Sequence, residues 1–257
     1  MASVLKKADL SIIIPALNCF KYTKELIKTI KTAYDYGLVL IDNGSTDGTS
    51  TYFEALRRFR YASVTTWKEN KGVAAAWNFG IKQAIKKFNS QYFLIVNTDV
   101  LLHPDSIDVL IDGLRGLKLD LVSGTDVSGS VSFADDIFDL PLPGLGENPE
   151  TPEFSCFMLK KATIDKVGYF DEKFFPAYFE DNDYHYRMRL AGLKAVRHSR
   201  ALYFHWGSRT IQDNDKIKSQ SNLGYMANRD YYIKKWGGKP GAEKFSTPFG
   251  VKECRRH

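Results

Sequence analysis

Short apolar runs alternate with amphipathic stretches along the first half of the chain. Five apolar runs predict strands at residues 10–14, 38–41, 62–66, 92–96 and 119–123. Between them, apolar residues recur at helical spacing and predict helices at 22–34, 49–58, 73–88 and 104–114. This alternation favours an α/β fold with a mostly parallel sheet. Because the strands are nearly all apolar, we expect helices on both faces of that sheet.

The pattern changes after residue 125. Residues 128–152 include four prolines and predict a long irregular segment with a hairpin near 129–133. Beyond it we expect a strand at 154–159 and helices at 162–167 and 181–191. Two short strands at 194–196 and 201–204 predict a small second sheet, and a last helix is expected over 216–236.

Composition narrows the class of protein. The chain has 257 residues, of which 44% are apolar and 26% charged, and this balance is typical of a soluble globular protein. Its net charge of +6 fits a phosphate-bearing ligand or a membrane surface, and ordinary surface lysines explain it equally well. No apolar run approaches the ~20 residues of a membrane helix, and the first residues lack the pattern of a secretory signal.

The cysteine pattern, together with the lack of a predicted membrane helix or secretory signal, indicates where the protein is located. Cys19, Cys156 and Cys254 are scattered and odd in number, as expected of reduced thiols. We therefore expect a cytoplasmic protein with at most peripheral membrane association and no nucleic-acid partner.

Polar loops follow four of the predicted strands. They cover residues 15–18, 42–47, 69–72 and 97–99 and are rich in Asn, Asp, Gly and Ser. Such residues also form ordinary turns. However, the carboxyl ends of parallel strands share one edge of the sheet, where ligands bind in open α/β folds. Four such loops together predict a ligand site at that edge.

Two segments there predict metal chemistry. Asn97-Thr98-Asp99 ends a buried strand and offers oxygen ligands, which Mg²⁺ or Mn²⁺ prefers. His205 ends another short apolar strand and is a frequent metal ligand. Each has a plainer alternative, which is a strand-ending turn for the first segment and a packed histidine for the second.

A third segment predicts acid–base chemistry. Glu180, Asp181 and Asp183 lie within four positions and follow four aromatic residues, Phe174, Phe175, Tyr178 and Phe179. A carboxyl group in a partly apolar cleft has a raised pKa and is a better general base. The alternative is a structural role at a helix N-terminus, where the dipole favours acidic side chains.

Five segments, in order, resemble the family 2 glycosyltransferases, which have the GT-A fold. They are residues 11–18, 40–48, 70–78, 97–99 and 179–192. Asn97-Thr98-Asp99 is similar to the family's metal-binding Asp-x-Asp, with Asn97 in place of the first Asp. Residues 228–238 look like the C-terminal helix of the rhamnosyl- and galactofuranosyltransferase-like branch.

The resemblance implies an inverting transferase that moves a sugar from a nucleotide diphosphate to an acceptor hydroxyl. It implies a general base, Asp181, with Glu180 beside it, and a divalent metal, Mn²⁺ or Mg²⁺, on Asp99 and His205. Separately from the resemblance, aromatic faces suit sugar rings, and Tyr178 and Phe179 are the expected acceptor contacts, although a packed aromatic core accounts at least as well for most aromatic residues of this segment. The implied nucleotide-sugar-binding residues are Pro15, Ala16, Asn18, Asp42, Asn70, Lys71, Gly72, Asn97 and Thr98.

The implied donor carries uridine diphosphate, with thymidine diphosphate as the next choice. The acceptor would be a glycan, a lipid-linked glycan or a protein, as in polysaccharide biosynthesis. Residues 1–125 would form the donor-binding half, 126–212 the acceptor-side half of the same domain, and 213–257 a C-terminal helix and tail. Segments 128–152 and 207–216 would be mobile lids that exclude water.

Two other functions compete with this interpretation. A sugar-phosphate nucleotidyltransferase would share the α/β frame, but it needs a Gly-rich triphosphate loop after the first strand, where this chain has Pro15-Ala16-Leu17-Asn18. A non-catalytic nucleotide- or carbohydrate-binding module would not need Asp99, Asp181 and His205 together.

Overall fold

A computed structural model describes residues 9–144, 149, 151–207 and 215–250; from 215 to 221 it describes only the side chain of residue 219. Within these ranges there is one sheet of eight strands. The strands are β1 (Leu10–Ala16), β2 (Tyr36–Asp42), β3 (Ala62–Thr66), β4 (Tyr92–Val96), β5 (Val100–Leu102), β6 (Leu121–Asp126), β7 (Cys156–Lys160) and β8 (Ala195–His205). The α-helices are α1 (Phe20–Thr29), α2 (Thr49–Leu56), α3 (Val73–Phe88), α4 (Ser106–Gly116), α5 (Lys161–Val167), α6 (Glu180–Leu190) and α7 (Asp215–Trp236).

The strand order confirms the predicted α/β fold class with a mostly parallel sheet. Across the sheet the order is β3-β2-β1-β4-β7-β6-β8-β5. Strands β1 to β4 are parallel, β7 is antiparallel to both β4 and β6, and β6 is parallel to β8. It follows that β8 runs in the same direction as β1 to β4, so its carboxyl end lies at the same edge of the sheet.

The expected small second sheet is wrong. The two short strands predicted at 194–196 and 201–204 are parts of β8, which pairs with β6 on both sides of an irregularity between Ser123 and Thr125. The polar residues of β8 near Arg197 interrupt the apolar pattern at that irregularity, which is why the sequence indicates two strands. Strand β5, which pairs with the end of β8, was not predicted because three residues give no periodicity.

The core lies on both faces of the sheet, as the apolar strands predict. Ile12 and Ile14 of β1 are fully buried in the layer that contains Leu26 of α1, Phe53 of α2 and Leu110 of α4. Ile13, between them, points to the opposite layer, formed by side chains of α3 and α6. The alternation of neighbouring side chains across a strand accounts for the two layers.

The proline-rich segment forms turns and a 3₁₀ helix over Ala134–Asp139 in its described part. The hairpin expected near 129–133 is wrong. Ser130 N–H closes a turn on Val127 O, and the Asp136 carboxylate accepts the Phe133 N–H. Ile137 is fully buried and packs with residues of β5 and β8. The buried Ile137 side chain therefore holds the segment against the sheet, although the segment forms no strand there.

Helix α7 was predicted nearly to the residue, and it packs on the region around α6. Phe174, Phe179, Tyr232 and Trp236 form one buried aromatic cluster between them. Among the described residues, no helix has the length and the apolar character needed to cross a bilayer.

Candidate active site at the carboxyl edge of the sheet

The loops that follow β1 and β2 are tied to each other. Asn18 Oδ1 accepts a hydrogen bond from Thr46 N (2.7 Å), and Asn18 N donates to Ser45 Oγ (3.0 Å). Asn18 has φ 52°, a left-handed conformation that asparagine tolerates. Pro15 and Ala16, expected in this loop, are instead the last residues of β1. The strand therefore ends two residues later than the sequence predicts.

Asp42 is the last residue of β2 and is fully buried. Its Oδ1 accepts a hydrogen bond from Ser45 N (2.8 Å). Its Oδ2 has no hydrogen-bond partner among the described residues. Since buried polar atoms are nearly always paired, this oxygen is a candidate acceptor for a ligand donor.

The loop before α3 is held by a residue that the sequence analysis missed. Asn43, which is 5% exposed, accepts Lys71 N–H at its Oδ1 (2.8 Å) and donates from Nδ2 to Asn70 Oδ1 (3.0 Å). The positive φ of Gly72, 87°, turns the chain into α3. The sequence signal for Asn43 is its place beside Asp42 in the same turn.

Asn97, Thr98 and Asp99 connect β4 to β5. Asp99 and Thr98 are each 3% exposed, and Asn97 is half-buried. Because Val100 pairs with His205 across β5 and β8, Asp99 lies beside that histidine. The distance from His205 Nε2 to Asp99 Oδ1 is 3.3 Å. Although burial lowers the pKa of His205, the nearby acidic side chains, above all Asp99, outweigh burial and raise it.

Asp99 and His205 could bind a divalent cation whose remaining ligands come from a bound substrate. They supply one carboxylate and one imidazole, and no set of three His, Cys, Asp or Glu suited to a metal occurs among the described residues. Mg²⁺-type ions in proteins commonly use one or two carboxylates and take their other ligands from substrate phosphates and water. The donor set therefore suits a metal–diphosphate complex better than a metal bound by protein alone.

The segment before α6 meets the start of α3. Pro176 O accepts a hydrogen bond from Val73 N (2.9 Å), so Glu180 and Asp181 begin their helix at the same edge of the sheet as Asp42 and Asp99. Two consecutive aromatic residues, Tyr178 and Phe179, have φ values of 78° and 73°. Non-glycine residues in this conformation are strained, and such strain persists only where surrounding contacts impose it.

Asn228 of α7 imposes this turn, and the sequence analysis did not select it. Its buried side-chain amide donates to Ala177 O (2.8 Å) and to Tyr178 O (3.1 Å). It lies about fifty residues from the turn in sequence, so no local pattern indicates the contact.

The two acids after this turn have different surroundings. Glu180 is 6% exposed, and burial together with the charge of Asp181 raises its pKa well above the usual range. Asp181 is partly buried, and burial raises its pKa even though backbone N–H groups oppose the shift. Asn182 N–H donates to Asp181 Oδ1 (2.7 Å). A raised pKa suits a carboxylate for accepting a proton.

Asp183, the third acid of the segment, is structural. It is fully buried and accepts hydrogen bonds from Arg187 Nε (2.8 Å) and Trp236 Nε1 (2.8 Å). Lys235 Nζ lies 2.6 Å from Asp183 Oδ1 and 2.7 Å from Asp171 Oδ2. Asp183 thus joins α6 to the end of α7.

An open cleft of about 470 Å³ lies beside Asp181. Its size is within the range of small-molecule sites. The described residues that line it are Tyr178, Phe179, Asp181, Asn182, Tyr225, Arg229, Lys239 and Pro240. Asp99 and His205 are not among these lining residues. The predicted lid at 207–216 falls mostly outside the described residues.

Solved structures define the class of this fold. S. aureus TarS has a TM-score of 0.59 and 17% identity to the chain, with 89% of this chain and 74% of that chain covered. The mannosyltransferase PcManGT from Pyrobaculum calidifontis has a TM-score of 0.61 and 15% identity, with coverages of 87% and 72%. The fold is therefore that of the GT-A glycosyltransferases.

The chain belongs to glycosyl transferase family 2, because the model of that family matches residues 11–143, just over half of its length. An uncharacterized glycosyltransferase of Rickettsia conorii is 35% identical over 108 residues, which are 41% of this chain and 17% of that protein. The N-acetylglucosaminyl-diphospho-decaprenol L-rhamnosyltransferase of Mycobacterium tuberculosis is 27% identical over 204 residues, 65% of this chain and 66% of that protein. The chain thus spans about a sixth of the length of the Rickettsia relative.

Proposed function

We propose that the chain transfers a sugar from a nucleotide diphosphate to an acceptor hydroxyl, with inversion, at the carboxyl edge of its sheet. The observation that carries the proposal is the position of Asp181. It is a partly buried carboxylate with a raised pKa, and it lines an open cleft. Its helix begins at the carboxyl edge of the sheet, where open α/β folds bind ligands. Asp42 and Asp99 lie at the same edge.

The donor would lie across the loops that follow β1 to β4. Pro15, Ala16 and Asn18 would line the base and ribose pocket, where the unpaired Oδ2 of Asp42 would accept a hydrogen bond from the nucleoside. Asn70, Lys71 and Gly72 would hold the nucleotide edge, while Asn97 and Thr98 would lie against the diphosphate. We place uridine first and thymidine second as the base. TarS has been solved with UDP-GlcNAc, which supports the first choice.

A divalent cation would be held by Asp99 and His205, and when bound it would neutralise charge on the departing diphosphate. Mn²⁺ and Mg²⁺ are the expected ions, and the PcManGT complex with GDP-Man and Mn²⁺ supports the first. Asp99 would supply negative charge and His205 an imidazole nitrogen, and these two groups lie 3.3 Å apart.

Asp181 would accept the proton of the acceptor hydroxyl as its oxygen attacks the anomeric carbon from the face opposite the diphosphate. The carbon–oxygen bond to the diphosphate breaks as the new bond forms, so the anomeric configuration inverts. A positioned base contributes about 10²–10⁴-fold. Glu180, whose pKa is raised well above the usual range, would lie beside the base and position the sugar or acceptor.

The test is transfer and hydrolysis with a panel of UDP-, dTDP- and GDP-sugars in the presence of Mn²⁺ or Mg²⁺. We expect slow donor hydrolysis by the wild type and no transfer by Asp181→Asn, which still binds donor. Asp165→Asn, an exposed carboxylate on α5, is the matched control with normal turnover. Near-normal turnover by Asp181→Asn would remove this residue from the base role. Release of pyrophosphate from a nucleoside triphosphate would indicate a nucleotidyltransferase instead.

The similarity to a rhamnosyltransferase supports the rhamnosyl-type branch for this chain. We propose residues 1–125 as the donor-binding half, 126–212 as the acceptor-side half and 213–257 as the C-terminal helix and tail. Contacts of α7 with the turn before Glu180 support a role for this helix in shaping the acceptor side.

A further inference from the structure

Two cationic side chains line the cleft beside Asp181, and the proposed chemistry uses neither. Arg229 lies on α7 directly after Asn228, which holds the strained turn at Tyr178. Lys239 lies on the loop that follows α7 and is exposed. Asp181 is the only acidic side chain among the described residues that line this cleft. With two cations and one carboxylate, the described lining of the cleft therefore carries excess positive charge.

Both cations are on ordered backbone. Lys244 N and Phe245 N donate to Trp236 O at 2.9 and 3.0 Å, which folds the loop back on the end of α7. Within the loop, Ala242 N donates to Lys239 O (2.8 Å). Arg229 thus lies on a helix, and Lys239 lies on a loop that hydrogen bonds hold against the end of that helix.

Arg229 has a weak partner in the protein. Its Nη2 lies 3.0 Å from Oδ1 of its neighbour Asp230, whose side chain is 67% exposed. Exposed pairs of this kind contribute little free energy. A ligand oxyanion can therefore replace Asp230, particularly since guanidinium groups bind phosphate and carboxylate oxygens in a bidentate manner.

Aromatic side chains also line the cleft. The ring of Tyr225 lies 5.4 Å from that of Tyr178 and 5.2 Å from that of Phe179. Aromatic side chains combine a large apolar face with, in tyrosine, a polar group. Such a wall suits the C–H face of a sugar ring, while the two cations suit an anion attached to that sugar.

We infer that this cleft binds an anionic acceptor, a sugar that carries a phosphate or carboxylate group, with the anion on Arg229 and Lys239 and the sugar against the aromatic wall. The inference rests on the proposed function, because it assigns the acceptor of that reaction. It narrows the acceptor class from any glycan to a charged one.

The test measures binding to the whole protein in the absence of donor and metal, by calorimetry or ligand-observed NMR. The probes are N-acetylglucosamine 1-phosphate, glucuronic acid and the neutral methyl glycoside of N-acetylglucosamine. We expect an anionic probe to bind more tightly than the neutral one and to weaken as salt is raised. Arg229→Gln combined with Lys239→Gln should weaken its binding about tenfold and leave the neutral probe unchanged.

Two further variants control for charge and folding. Lys234→Gln removes an exposed cation of α7 that does not line the cleft, and it should bind every probe as the wild type does. Arg229→Lys combined with Lys239→Arg keeps both charges and should retain anion binding. Joining the phosphate probe to a short isoprenyl chain tests the source of the anion, since tighter binding would indicate a lipid-linked acceptor and equal binding a soluble one.

Equal affinity of the wild type for anionic and neutral probes, or undiminished anion binding by the double Gln variant, would overturn the inference. The proposed function is tested separately by donor turnover and by Asp181→Asn. A failure of the anion-binding test would therefore count against the inferred acceptor, and a failure of the turnover test would count against the proposed function.

Discussion

Asp183→Asn tests whether the buried acid of α6 is the anchor of α7. The carboxylate is fully buried and accepts from Arg187 and Trp236, with Lys235 at 2.6 Å. Asparagine has nearly the same shape as aspartate, but its NH₂ group replaces one acceptor oxygen. That group would face one of the N–H donors and could not accept its hydrogen bond. The substitution therefore removes the negative charge and leaves two cations facing a neutral group.

The expected cost follows from the remaining partners. Removing one member of a buried ion pair costs about 3–5 kcal/mol. Lys235 keeps Asp171, and Arg187 keeps the carbonyl groups of Val167 and Tyr169. We therefore expect the lower end, about 3 kcal/mol. For a chain of this size, that corresponds to a fall in Tm of about 6–12 °C.

The assay is thermal and urea unfolding followed by circular dichroism. Asp165→Asn is the matched control, because Asp165 also pairs at i,i+4 spacing, with Lys161 at 2.7 Å, but is 58% exposed. The control should cost no more than about 0.5 kcal/mol. If the two variants unfold at the same temperature, the claim that Asp183 anchors α7 is wrong.

Two further predictions concern the site itself. Asp99→Ala should weaken Mn²⁺-dependent nucleotide binding by about 10–100-fold, measured by titration with and without metal; unchanged metal dependence would contradict its role as a ligand. Glu180→Gln should stabilise the protein at neutral pH, because burial and Asp181 disfavour the ionised form of the glutamate. Since the folded pKa of Glu180 is raised, wild-type stability should fall as pH rises from the ordinary glutamate pKa through the folded value. Unfolding at several pH values checks this, and a pH-independent difference between wild type and variant would refute it.

Much of the fold could be predicted because it depends on local patterns. The four parallel strands and their helices follow from apolar periodicity, and the polar loops after them meet at one edge by the geometry of parallel strands. The same reasoning failed at β8, whose polar residues near Arg197 interrupt the apolar pattern, and at β5, which is too short to show a period.

The site shows the same division. Asp42, Asp99 and Asp181 could be identified from the sequence as candidate site residues because each follows or precedes a recognisable element, and their roles stay predictions. The roles of Asn43 and Asn228 could not, because their importance lies in hydrogen bonds to residues about 28 and 50 positions away. The residues next to Asn43 and Asn228 in the sequence do not indicate which distant residues they contact.

The amino-acid sequence by itself determined the alternation of strands and helices, the burial of the sheet on both faces and the polar chemistry at its carboxyl edge, since these depend on periodicity and residue type. Only the tertiary structure decided how each acid is buried and paired. Asp183 and Asp181 are two residues apart, yet one is buried among Arg187, Lys235 and Trp236 and the other lines a cleft. Helix geometry turns neighbouring side chains toward different surroundings, and those surroundings are supplied by distant parts of the chain.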